Sequence, residues 1–89
     1  MNLVFKSSFD RDLAKIRNKT VLAHLKELIL NLEGIATLAK VSKLEKISGH
    51  SGYYRIRLGD YRLGLHRPDG KTVTLIRFLH RKDVYRYFP

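Results

Sequence analysis

The chain has 89 residues with a formal net charge of +10, and 44% of its residues are hydrophobic. That length holds one domain spanning 1–89, and the apolar content excludes wholesale disorder. So large a positive charge disfavours a neutral small-molecule substrate and favours nucleic acid, an acidic surface or an acidic protein. There is no cysteine, which excludes disulfides and thiolate metal sites.

Asn2 to Lys6 is a short apolar run that predicts a strand, at a sheet edge or paired with a later strand. Ser7 or Ser8 is placed to cap a following helix, in which Phe9, Leu13 and Ile16 recur at helical spacing up to about Arg17. Asn18 then caps the clearest helix of the sequence, Lys19 to Glu33. Val21, Leu22, Leu25, Leu28, Ile29 and Leu32 form its apolar stripe, and Gly34 stops it. Ile35 to Ser51 has no strong period and reads as a connection.

From Tyr53 the period becomes two. Tyr54, Ile56 and Leu58 alternate with Tyr53, Arg55 and Arg57, as in a half-buried strand. Gly59-Asp60 predicts a tight hairpin turn. Tyr61, Leu63 and Leu65 then alternate with Arg62, Gly64 and His66. Arg67-Pro68-Asp69-Gly70 predicts a second turn. Lys71 to Leu79 is apolar on both faces, as an internal strand would be. His80 to Tyr85 leaves the sheet as a helical or turn segment. The order β-α-α-β-β-β predicts an α+β two-layer fold, with an N-terminal strand and helical hairpin packed on an antiparallel sheet.

Seven of the nine arginines lie at or after Arg55, and seven of the nine lysines at or before Lys46. Arginine grips phosphate oxygens in pairs, whereas lysine acts as a hydrated point charge. Arg55, Arg57 and Arg62 therefore mark an anion-binding sheet face, against the alternative of an ordinary solvated one. Arg57 and Arg62 are expected to lie across the ladder from each other, where like charges oppose folding. His80, Arg81 and Tyr85 form a second group: His80 can act as acid or base, and Tyr85 lies one helical turn beyond Arg81. The alternative makes His80 a surface residue and Tyr85 a core anchor.

His24, His50 and His66 have no metal-ligand spacing. The eight acidic residues do not cluster, so a two-metal carboxylate cage is disfavoured. No phosphate-binding loop, dinucleotide fingerprint or nucleophile elbow is present. No metal or cofactor is therefore expected. A basic site with His, Tyr and Arg suits RNA, whose 2′-hydroxyl supplies the nucleophile. No signal-peptide pattern or bilayer-length apolar run occurs, so an intracellular, cytoplasmic protein without a membrane is expected.

The run Y-Y-R-I-R-L-G-D-Y-R-L-G-L (Tyr53 to Leu65) and the run R-F-L-H-R-K-D-V-Y-R (Arg77 to Arg86) resemble the RelE/ParE superfamily of bacterial toxin–antitoxin toxins. With the β-α-α-β-β-β order, the resemblance covers essentially the whole chain. It implies the microbial-ribonuclease-like fold of that superfamily and a toxin neutralised by a RelB-like acidic antitoxin. RelE-type members are ribosome-dependent endoribonucleases that cut mRNA in the A site. ParE-type members share the fold and inhibit DNA gyrase without cutting RNA.

By position, Arg62 matches a phosphate-contacting arginine, Arg81 lies in the basic C-terminal motif, and Tyr85 matches the tyrosine that closes it. His80 fits a subset of members with His before Arg. Some RelE enzymes have lysine where this chain has Arg55 and Arg57. Arginine does not give up a proton, so these two are expected to act as electrostatic clamps. Arg62, His80, Arg81 and Tyr85 are thus the expected catalytic residues. Arg55, Arg57, Lys46 and Arg77 are the expected RNA- and phosphate-binding residues. A RelE-type mRNA-cleaving toxin is the preferred reading; the alternatives are a gyrase inhibitor and a non-catalytic RNA- or ribosome-binding module.

Overall fold

The computed structural model describes residues Met1–Pro89. Its elements are β1 (Asn2–Phe5), α1 (Ser7–Ala14), α2 (Lys19–Gly34), β2 (Leu44–Lys46), β3 (Tyr53–Leu58), β4 (Tyr61–His66), β5 (Thr72–His80) and α3 (Arg81–Tyr87). The strands form one sheet in the order β1-β5-β4-β3-β2. β1 pairs with β5 in parallel, and the other neighbours are antiparallel.

The alternation in β3 and β4 decides which face becomes the core. Ile56, Leu63 and Leu65 are fully buried with Val73, Leu75 and Phe78 of β5. Phe9 from α1 and Leu25 and Leu32 from α2 close that core from the helix side. The Asn18 carboxamide oxygen accepts from the Thr20 and Val21 amides at 3.0 and 3.2 Å, which starts α2 where expected.

Four features differ from the sequence expectation. First, the connection before β3 contains a strand, β2, which pairs Leu44, Glu45 and Lys46 with Ile56, Arg55 and Tyr54. Three residues are too few to show a period of two. Second, neither serine caps α1. Its N-cap is Lys6, with no side-chain hydrogen bond. Ser8 Oγ instead donates to the Ile76 carbonyl at 2.6 Å.

Third, β5 carries a bulge opposite Gly64/Leu65. The extra residue turns Arg77 away from the core, level with Gly64, while Phe78 still faces inward beside Leu63. Fourth, α3 makes the fold more than two-layered, because it lies on the face of the sheet opposite α1 and α2. A Cβ on Gly64, which pairs with Arg55 and Arg77, would stand 2.8 Å from the Phe88 ring. Phe88 and Val84 are buried there, so α3 and the residues after it cover part of the face that the sequence left to arginine.

β1 hands the edge of β5 to α1. The last backbone bond of that seam runs from Lys6 N to Leu75 O. Beyond it, Ser8 satisfies Ile76 O and Asp12 accepts from Phe78 N at 3.0 Å. Two side chains one helical turn apart thus take over the hydrogen bonds that another strand would make.

Candidate nucleic-acid interface

Opposed residues on neighbouring strands project to the same side. The register therefore places Glu45, Arg55, Gly64 and Arg77 in one row across β2, β3, β4 and β5, on the face away from α1 and α2. Arg57 and Arg62 form the adjacent row, directly opposite each other. The two arginines thus share one face of the ladder, as expected. Arg57 is exposed, and neither it nor Arg62 is paired with a carboxylate.

Arg62 folds back on the hairpin that precedes it. Its Nη1 donates to the Gly59 and Tyr61 carbonyls, each at 2.9 Å. Gly59 has φ +58°, a conformation that glycine adopts without strain. The carbonyl between those two, that of Asp60, accepts from the Arg81 backbone amide at 2.7 Å. Arg81 Nε also lies 3.8 Å from Asp60 Oδ1, in a pair open to solvent. Three successive carbonyls of one turn thus fix Arg62 and the first residue of α3.

Arg55 is largely enclosed, with 15% of its side chain exposed. Its guanidinium lies 4.6 Å from the centroid of the Tyr85 ring, a cation–π geometry. On another side its Nε is 3.8 Å from Glu45 Oε1, and both atoms are buried without a hydrogen-bond partner. Tyr85 is 70% exposed, so it is not the core anchor of α3; Val84 is. Although Arg81 and Tyr85 are a turn apart on α3, the tyrosine ring takes Arg55, and Arg81 takes Asp60.

Two expected site residues project from the other side of the sheet, and a third is already engaged. Lys46 pairs with Tyr54, so it projects from the helix side at the sheet's rim and not beside Arg55. Arg77 is on the arginine face but engaged: Nε and Nη2 donate to the two Asp12 oxygens at 2.8 and 3.0 Å. Hydrogen bonding to that carboxylate holds the Arg77 pKa above its ordinary value, so its charge is fixed and already compensated. His80 pairs with Tyr61, whose ring stacks on Phe78, and it therefore faces the helix side. Its Nδ1 accepts from the Lys82 amide at 3.2 Å, which makes His80 the cap of α3 and leaves Nε2 to carry the proton of the neutral ring.

Sequence reasoning missed Glu45, Asp12 and Phe88. Glu45 lay in the unassigned strand. Asp12 resembles a routine first-turn acid until its partners, 65 and 66 residues away, are known. The tail Phe88 has only Gly64 to signal it, as a missing side chain in an otherwise bulky strand. No group of three or more His, Cys, Asp or Glu side chains is positioned to hold a metal ion. No helix is long and apolar enough to cross a membrane.

The arrangement is an arginine-lined sheet face with an exposed aromatic, Tyr85, beside it. Residues 3–85 match the family described as the ParE toxin of the type II toxin–antitoxin system parDE. Toxin RelE3 of Methanocaldococcus jannaschii is 34% identical over 90 residues, covering all of both chains.

The chain belongs to the RelE/ParE family of toxins.

The toxin also superposes on a chain of the RelB–RelE antitoxin–toxin complex from Methanococcus jannaschii with a TM-score of 0.81, at 34% identity, over 97% of this chain and 99% of the other. The fold alone is shared with the RelBE2 toxin–antitoxin complex of Mycobacterium tuberculosis. There the TM-score is 0.68 and the identity 23%, over 92% of each chain. It is shared likewise with the DinJ–YafQ complex of E. coli, at TM-score 0.60 and 18% identity over 98% of each chain. This chain is therefore a type II toxin of the RelE kind.

Proposed function

We propose that this toxin is a ribosome-dependent endoribonuclease that cleaves mRNA in the A site and arrests translation in the cytoplasm. The observation that carries the proposal is the Arg57–Arg62 pair, opposed across the β3–β4 ladder with no carboxylate paired to either. Such a pair opposes folding unless it receives an anion, and a turn-anchored Arg62 opposite an exposed Arg57 on one face suits a phosphodiester. The ribose 2′-hydroxyl is the nucleophile; it attacks the adjacent phosphorus and closes a 2′,3′-cyclic phosphate as the bond to the 5′-oxygen of the next nucleotide breaks. The hydroxyl proton passes to water, and the leaving oxygen takes a proton from water. Arg62 and Arg81, fixed by the same turn, stabilise the charge that develops on the phosphoryl oxygens. Arg55 and Arg57 clamp the flanking backbone. Tyr85 presents its hydroxyl and ring at the solvent edge of this face, and the proton transfer expected of His80 is assigned away from His80, which caps α3.

In this reading a RelB-like antitoxin with an acidic segment neutralises the toxin by covering the arginine face. The complexes formed by similar toxins support that partner. Purified toxin added to ribosomes programmed with mRNA is expected to give A-site cuts by primer extension. Arg62→Ala and Arg81→Ala are each expected to slow cleavage about 100-fold or more. Full activity in both variants would overturn the assignment. A second reading, inhibition of DNA gyrase, is favoured by the match to the ParE family. It predicts blocked supercoiling with purified gyrase and intact mRNA.

A further inference from the structure

Two carboxylates stand against the arginines of this face without being tightly bonded to them. Glu45 lies opposite Arg55 in the β2–β3 register, and Asp60 lies beside Arg81. Both pairs are 3.8 Å apart, too long for a hydrogen bond. The Asp12–Arg77 pair on the same sheet is bidentate, with contacts of 2.8 and 3.0 Å. The two loose pairs are thus unlike the structural one.

Glu45 Oε1 and Arg55 Nε are each buried and partnerless while facing each other. Buried polar atoms are almost always satisfied, so such a pair is poised for another partner. Asp60 and Arg81 are open to water, with side chains 68% and 60% exposed. The main-chain bond from Arg81 N to Asp60 O holds the turn whatever the Asp60 side chain does.

We propose that Glu45 and Asp60 are exchangeable counterions, which occupy Arg55 and Arg81 in the free toxin and are displaced by phosphates of the bound strand. They hold the face in a part-neutralised state and set its affinity for single-stranded RNA. This rests on the nucleic-acid reading above.

The test measures binding of a fluorescent 2′-O-methyl oligoribonucleotide, which lacks the nucleophile, by anisotropy across a salt series. Glu45→Gln and Asp60→Asn each remove a carboxylate that competes with phosphate for one arginine, while the number of phosphates neutralised, and with it the salt slope, stays as in wild type. Each is expected to tighten binding about two- to fivefold at about 50 mM salt, the worth of a loose ion pair. Asp60→Glu keeps the charge and is expected to retain the wild-type affinity. Glu27→Gln, the same charge change on α2, is expected to leave the affinity unmoved; thermal melts verify that each variant is folded.

Wild-type affinity in both Glu45→Gln and Asp60→Asn, or equal tightening in Glu27→Gln, would overturn the proposal alone, provided wild type binds and Arg57→Ala weakens that binding. A wild-type toxin that does not bind the oligonucleotide overturns the nucleic-acid reading, and this inference with it.

Discussion

Replacing Asp12 with alanine tests the seam between α1 and β5. The carboxylate is 5% exposed, and it accepts three hydrogen bonds: two from Arg77 and one from the Phe78 amide. Removing one member of a buried ion pair typically costs about 3–5 kcal/mol. Arg77 is one-quarter exposed and regains some hydration, which lowers that figure, while the Phe78 amide loses its acceptor, which raises it again. A loss of about 3 kcal/mol is expected, which in a domain of this size lowers Tm by roughly 12–24 °C.

Chemical denaturation and thermal melting by circular dichroism read this directly. Asp12→Asn is expected to fall between the wild type and Asp12→Ala, because its carbonyl still accepts from Phe78. Asp12→Ala combined with Arg77→Met removes the orphaned charge, and is expected to regain about half of the loss while leaving the amide unsatisfied. Should Asp12→Ala lie within about 0.5 kcal/mol of wild type, or the double variant be no more stable than the single, the carboxylate does not hold this edge.

Further outcomes follow from other contacts. Gly64→Ala places a methyl 2.8 Å from the Phe88 ring, and is expected to lose about 1–3 kcal/mol by urea titration; adding Phe88→Ala should remove most of that increment without restoring full stability. Asn18→Ala removes the cap of α2, and a loss of about 1 kcal/mol should appear in the same titration. Asp69 accepts from the Lys71 and Thr72 amides, which hold its carboxyl below the ordinary 3.8. A depressed folded pKa stabilises above the unfolded value and ceases to do so as pH falls through the folded one. The melting gap between wild type and Asp69→Ala should therefore be constant near neutrality and narrow in acid below about pH 4; a gap that widens there contradicts the assignment.

The sequence carried the helices and the β3–β4 hairpin plainly, because each repeats a local period over six residues or more. Asn18, Gly59 and the strand alternation around Arg57 and Arg62 are likewise local signals, readable one neighbour at a time. What escaped was non-local. That β1 joins β5, and in parallel, depends on residues about seventy apart, and β2 exists because β3 is there to pair with it. The side on which a residue near the end of β5 projects depends on a bulge that no periodicity announces. That bulge, together with the pairing of His80 with Tyr61, explains why the run His80, Arg81 and Tyr85, contiguous in sequence, divides between two sides of the sheet. Arg77 and Asp12 each looked ordinary alone, and only the fold makes them a pair.

Gly64 has a consequence for charge as well as for packing. It stands between Arg55 and Arg77 in a row of cross-strand neighbours, and the Phe88 ring fills its place. An aromatic wedge therefore stands between the two arginines of that row. Arg55 turns outward to Tyr85 and Glu45, and Arg77 turns to Asp12. The wedge divides one basic row into Arg55, held only by the Tyr85 ring and a loose Glu45 contact, and Arg77, bonded twice to Asp12 as part of the scaffold.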